Sequence, residues 1–195
     1  VASQAPAIKL IGRDFTPRKL AKCRPLVMGI DPGISGALAI IDLDSAKIVD
    51  LIDLPTYKRD SKSRKQGYLE FLDVHALSSL IDAYSPLTAL AVLEEPGSMP
   101  NQGLQSTFTF GRTCGQIHGV LAGHYIPVAT VKPGVWKSAM ALTSNKDDSR
   151  NLASIEFPEF KSLWPLKKHN DRAEAVLLAL YGSRYMAKLI ELSRK

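Results

Sequence analysis

The stretch Leu26-Val-Met-Gly-Ile-Asp-Pro-Gly33 decides the fold. Its first five residues form an uninterrupted apolar run, the signature of a short strand buried on both faces. Asp31 closes the run, and Pro32-Gly33 turn the chain. Leu26–Ile30 and Ala37–Asp42, joined by the turn-rich Asp31–Gly36, read as a hairpin, with Lys47–Leu54 as a third strand. Ala89–Leu93 repeats the first pattern: apolar throughout, then Glu94, with Glu95 beside it. Open α/β sheets gather their sites at the carboxyl ends of strands, so Asp31 and one of the two glutamates stand where chemistry is expected. Glu94 is the first choice of the pair. Gly29 and Gly33, flanking Asp31, are expected to leave room for a substrate backbone.

Working outward, Thr56–Gly67 is polar and basic and reads as an exposed loop. Leu69–Tyr84 carries apolar residues at helical spacing. Pro96–Ser106 is a Gly/Pro/Asn/Gln loop, and Thr107–Tyr125 a helix with Gly111, Gly115, Gly119 and Gly123 at every fourth position. Glycine costs about 1 kcal/mol per helical position relative to alanine, so four on one face imply close approach of another backbone. Core packing is the first expectation for this stripe, a contact with a second copy the alternative. Pro127–Val131 is a strand, Pro133–Leu142 a helix with proline in its first turn, and Thr143–Asp148 a polar loop. Ser149–Phe157 is a helix, Pro158–Asn170 a basic loop and Asp171–Leu192 a long terminal helix. This order of elements is α/β.

The 195 residues suit one domain, preceded over residues 1–25 by a basic, mobile arm (Lys9, Arg13, Arg18, Lys19, Lys22 and Arg24 against Asp14). A net charge of +6 and a pI near 9.3 favour an anionic partner, of which nucleic acid is the commonest. Cys23 and Cys114 form neither a disulfide framework nor a metal-type spacing, which suits a reducing compartment. No apolar run approaches the ~18 to 20 residues of a membrane span. The chain opens on Val1 rather than Met, so removal of an upstream segment, such as a targeting peptide, is expected.

Asp171 and Glu174 open the last helix. Their spacing fits a capping box, and it equally places both on one helical face, able to share a metal. With Asp31 and Glu94 they make four carboxylates. At ~4 Å and an effective dielectric of ~20, each close pair costs roughly 4 kcal/mol, so convergence requires protonation or a divalent cation. His169, two residues ahead of Asp171, is placed to orient or deprotonate a water or to ligate a metal. Phe108 and Arg112, then Lys132, Trp136 and Lys137, and Lys146 in Asn145-Lys146 mix aromatic and basic groups in a way that suits base and phosphate contacts. The same segments also fit a core aromatic among solvated lysines. Lys167 and Lys168 extend the basic set beside His169.

Five motifs carry a resemblance: Met28-Gly-Ile-Asp-Pro-Gly33, Val92-Leu-Glu-Glu-Pro96, Phe110-Gly-Arg-Thr-Cys-Gly-Gln-Ile-His-Gly119, Pro133-Gly-Val-Trp-Lys137 and His169-Asn-Asp-Arg-Ala-Glu-Ala175. Together they span about residues 26–186, and in order and spacing the chain resembles the RuvC-type Holliday-junction resolvases of the RNase H-like superfamily, most closely the plant chloroplast (monokaryotic-chloroplast) family. The resemblance implies an RNase H-like nuclease domain over 26–195, a central mixed sheet flanked by helices. It implies an acidic tetrad of Asp31, Glu94, Asp171 and Glu174 holding two Mg²⁺ or Mn²⁺ ions, with His169 and Lys146 assisting near the phosphate. The expected activity is symmetric metal-dependent hydrolysis of four-way DNA junctions by a homodimer in the chloroplast. Two departures stand out. The last acid is Glu where bacterial relatives often have Asp, and the loop after Glu94 differs from theirs. A catalytically idle DNA-binding scaffold of the same fold and a nucleotide-binding phosphotransferase are the alternatives; no Gly-rich phosphate loop supports the latter.

Overall fold

A computed structural model describes residues 10–11, 24–62, 65–95, 103–143 and 145–192. Strands β1 (Leu10–Ile11), β2 (Leu26–Asp31), β3 (Ala37–Asp42), β4 (Ile48–Asp53), β7 (Thr88–Glu94) and β8 (Val128–Val131) form one mixed sheet, in the order β1-β8-β7-β2-β3-β4. β2 pairs antiparallel with β3 and parallel with β7. β8 runs parallel to β7, and β1 lies antiparallel along the outer edge of β8. The helices are α1 (Val74–Asp82), α2 (Leu104–Gly123), α3 (Pro133–Ala139), α4 (Lys146–Glu156) and α5 (Asn170–Leu192). The expected hairpin, its third strand and the central mixed sheet flanked by helices are all present.

Alternation along the strands sorts the core into two layers. Val27, Ala37, Ala39, Ile41, Leu90 and Val92 face one way, against α5 residues such as Val176 and Leu177. Met28, Ile30, Leu38, Ile40, Ala91 and Leu93 face the other, against Leu77 and Ile81 of α1 and Ile117 and Leu121 of α2. With both faces covered, the strands need no polar side, which explains their unbroken apolar runs. Each fully buried aliphatic side chain contributes about 1.5–3 kcal/mol by leaving water.

Close approach of backbones occurs on the α5 face. A Cβ at Gly29 would fall inside the backbone of Ala175 and Ala179, and one at Gly182 would lie 2.5 Å from Val92 Cγ2. Gly29 therefore seats α5 on the sheet instead of making room for a substrate, correcting that expectation. The stripe on α2 is also corrected. A Cβ at Gly111, Gly115, Gly119 or Gly123 would meet nothing within 4 Å, so the stripe is not packed in the core.

Three further corrections concern secondary structure. The segment read as a loop from Thr56 holds a strand, β5 (Thr56–Asp60), which pairs antiparallel with β6 (Tyr68–Leu72) in a separate two-stranded hairpin. The helix expected over Leu69–Tyr84 begins only at Val74, because the Asp73 carboxylate accepts the backbone N–H groups of His75 and Ala76 and caps it there. Helix α4 starts three residues earlier than expected, its Asn145 side chain accepting from Asp147 N–H. Most of the basic segment 1–25 and of the loop 96–106 lies outside the described residues.

Candidate active site

Parity along the strands decides which carboxylates can meet. Asp31 shares the face of Val27 and Gly29, and Glu94 shares that of Leu90 and Val92, so both point to the α5 side. Glu95 has the opposite parity, and its backbone N–H is bonded to Val131 O. On the α5 side wait Asp171 and Glu174, one turn apart in the first residues of that helix. The four converge electrostatically. The Asp31 carboxyl is pushed well above its usual range, first by burial and then by the charges of Asp171, Glu174 and Glu94. Glu94 is raised too, chiefly by burial, with the Trp136 hydrogen bond opposing and the Glu174 and Asp171 charges adding.

Three of the acids are each anchored through one oxygen. Trp136 Nε1 donates to Glu94 Oε2 at 2.7 Å. Ser35 Oγ, in the β2–β3 turn, donates to Asp171 Oδ2 at 2.6 Å. Glu174, only 8% exposed, accepts at Oε1 from Lys137 Nζ (2.9 Å), Ser149 Oγ (3.0 Å) and Asn170 Nδ2 (2.9 Å). Trp136 and Lys137 are neighbours on α3, so one short helix holds two acids that the chain keeps 80 residues apart. The helix already begins at Asn170 and neither acid caps it in these bonds, so the expected capping box with Asp171 at its head is not formed.

None of these bonds uses Glu94 Oε1, Asp171 Oδ1 or Glu174 Oε2. A set of hard carboxylate oxygens, each held from behind, suits Mg²⁺ or Mn²⁺. Asn170 Oδ1, a further hard oxygen, is buried beside Glu174 with no hydrogen-bond partner. Among the described residues no three His, Cys, Asp or Glu side chains are grouped closely enough to hold an ion as they stand. A cleft of about 830 Å³, lined by Lys137, Asn145, Asn170, Asp171 and Glu174 among others, opens onto this end of the sheet.

The other expected site residues fall into separate places. Trp136, expected to touch DNA, is fully buried. Its indole holds Glu94, which corrects the expectation and gives the ring a positioning role. Lys137 likewise pairs with Glu174 and lies 5.2 Å from the Trp136 ring centre. His169 ends a 3₁₀ turn (Lys167–His169) and its Nδ1 accepts weakly from Leu166 N–H at 3.4 Å. It lines a smaller recess with Lys168, Ser35, Asp53 and Arg172, and its pKa is lowered by desolvation and by Arg172 and Lys168. Lys132 and Lys167 are exposed, Phe108 and Arg112 lie on α2, and the Lys146 side chain is outside the described residues. Ser35, Ser149 and Asn170 were not singled out by sequence. Only Asn170 carried a signal, its place between His169 and Asp171.

No protein-family model matches this sequence, and no curated protein matches it. Among solved structures the chain is similar to Thermus thermophilus RuvC in complex with a Holliday junction substrate, with a TM-score of 0.56, 18% identity, and coverage of 85% of this chain and 97% of that one. A second Thermus thermophilus RuvC structure gives 0.52 and 16%, covering 82% and 96%. The fold is thus RNase H-like, of the RuvC kind.

Proposed function

We propose that this chain is a metal-dependent endonuclease that cuts four-way DNA junctions. The observation that carries the reading is that Asp31, Glu94, Asp171 and Glu174 lie on one face of the sheet, at the ends of β2 and β7 and the start of α5. The RuvC likeness adds a fold for which a junction-bound structure exists.

Asp31, at the centre of the repulsion, together with Glu94, Asp171 and Glu174, would hold the ions, Mg²⁺ or Mn²⁺, two per site. When bound, they supply Lewis acidity toward phosphate oxygens and lower the pKa of a bound water. The chain's own part is positional. Trp136 fixes Glu94 and, being buried, keeps water from that side. Ser35 orients Asp171, while Lys137, Ser149 and Asn170 fix Glu174 and spread its charge. His169, which lines the neighbouring recess with Ser35, Lys168 and Arg172, would accept a proton near the phosphate. Lys132, Lys167 and Lys168 contribute positive charge for the DNA backbone, which makes binding salt-dependent.

A four-way junction needs two symmetric cuts, which calls for a C₂ dimer. The α2 stripe, open over Gly111, Gly115, Gly119 and Gly123, is the face proposed for that contact, and Gly115→Leu should yield monomers in sedimentation. A chloroplast setting belongs to the same proposal and rests on the sequence motifs alone. One observation favours a second reading, an idle DNA-binding scaffold: the Lys137 ammonium sits on Glu174, a position a cation would contest.

The deciding experiment incubates a labelled four-way junction and a linear duplex with and without Mg²⁺. Paired cuts in the junction alone, abolished by Asp31→Asn with binding kept, are expected. Equal cutting of both substrates would sink junction selectivity; tight binding with no cutting would establish the scaffold.

A further inference from the structure

Arg172 stands in sequence between the two acids of α5 but reaches to the edge of the sheet. Its Nε and Nη2 donate to the two carboxylate oxygens of Asp53, the last residue of β4, each at 2.6 Å. Its Nη1 donates to Leu163 O at 3.1 Å. A guanidinium that meets a carboxylate through two parallel bonds fixes direction as well as distance. As a source of stability the pair is minor, because the side chains of Asp53 and Arg172 are 57% and 32% exposed and exposed ion pairs add little. What it supplies is place.

The corner that Arg172 grips is built on the turn that follows Asp31. Asp53 is in register with Ala37, and the N–H of the next residue, Leu54, bonds Gly36 O at 2.8 Å. Gly36 N–H bonds Gly33 O at 2.9 Å, and a Cβ on Gly36 would lie 2.1 Å from Asp31 O, so the turn is folded tightly onto Asp31. Ser35, beside Gly36, holds Asp171. Two ties therefore run from the start of α5 to one corner, Ser35 to Asp171 and Asp53 to Arg172, and the Leu54–Gly36 bond closes them into a ring. The second tie has a physical purpose. Helix ends fray, and Asp171 lies in the first turn, where N–H groups have no partner within the helix. A single hydroxyl bond lets that turn pivot about Ser35. A second contact one residue on, aimed in another direction, removes the freedom.

We propose that Asp53 and Arg172 are positioning residues, a clamp that sets where Asp171 stands relative to Asp31 and touches no substrate itself; the inference rests on the metal-dependent nuclease reading and deepens it. Placement matters because a shift of about 1 Å in a reacting assembly can cost about 10²-fold in rate. The clamp has a second effect. Held by Asp53, the guanidinium is kept off the neighbouring acids, which it would otherwise neutralise in place of a cation.

The test titrates the full chain with Ca²⁺ by calorimetry, without DNA, and measures junction cutting in Mg²⁺. Asp53→Asn should weaken Ca²⁺ binding about tenfold, the lower end for groups that support metal ligands from behind. It should lower kcat by a similar factor while KM for the junction holds. Arg172→Gln should do the same, and the double variant should lose no more than either single one, as partners in one contact do. Asp53→Glu, which keeps the carboxylate, should recover most of the Ca²⁺ affinity. Melting curves are recorded first, and the losses should persist at temperatures where every variant is fully folded. Unchanged Ca²⁺ affinity, additive losses, or losses confined to partly unfolded samples would overturn the clamp. So would tighter junction binding by Asp53→Asn, the sign of a guanidinium freed for phosphate. A wild-type chain that binds Ca²⁺ but cuts nothing sinks the nuclease reading and leaves the Ca²⁺ ratio to decide the clamp. One that binds no Ca²⁺ overturns both.

Discussion

The two faces of the sheet use the same residue types for opposite ends. On the α5 face, Gly29 and Gly182 let a helix rest on the strands, and Glu94, Asp171 and Glu174 are each held by a protein donor. On the α2 face, four glycines look into open space and two large apolar side chains stand exposed beside a basic hairpin. The first face is closely packed and already made. The second is unfinished, as a surface is that waits for a macromolecule. In the proposed enzyme, chemistry belongs to the packed side and recognition to the open one.

The largest expected effect tests whether the packed face is chemical. Asp31→Asn should lower cutting by about 10⁴-fold, the scale on which members of a catalytic unit act. The same change should stabilise the metal-free protein. Because the folded-state pKa of Asp31 lies above its ordinary 3.8, its contribution is fully present below that value and is lost as pH rises through the raised one. Melting curves should thus show variant and wild type alike in acid and the variant more stable at neutral pH. A wild type that stays equally stable at neutral pH would mean the acids do not repel.

Gly29→Ala comes next. It forces a methyl group into the α5 backbone and should cost about 3 kcal/mol or more by denaturant unfolding, the upper range for overpacking. On the other face, Gly119→Ala should stabilise the isolated subunit by about 1 kcal/mol through helix propensity alone, while weakening any dimer formed through the stripe. If both substitutions behave alike, the contrast between the faces fails. The smallest effect belongs to the rim. Asp53 receives two charge-assisted bonds from Arg172 at 2.6 Å, and these hold its carboxyl below its usual value. The pair is largely exposed, so Asp53→Asn should cost only about 0.5 kcal/mol.

Much of the packed face was legible in the sequence and little of the open one. Buried strands announce themselves as unbroken apolar runs ending in acids, and α5 as an apolar helix opened by Asp171 and Glu174. The glycine stripe misled, because glycine spacing reports that space exists and not on which side of the helix it lies. Leu69 and Leu72 fit a strand as well as a helix, and only the Asp73 cap separates the two. Trp136 had to be seen in three dimensions, since nothing local distinguishes an indole that grips a carboxylate from one that grips DNA. For Glu94 against Glu95, an apolar run without alternation hides its own parity. Pairing with β2 supplies it.

The Ser35–Asp171 hydrogen bond joins residues 136 positions apart. Half of the tetrad arrives with α5, the last element of the fold described, which is also the main cover of one sheet face. Long-range closures of this kind form late and slowly. A chain still emerging from the ribosome, or one whose final helix has come away, holds Asp31 and Glu94 but no complete acid set. In the proposed nuclease, competence would thereby be tied to the finished fold, and partly folded molecules would be harmless to the DNA around them.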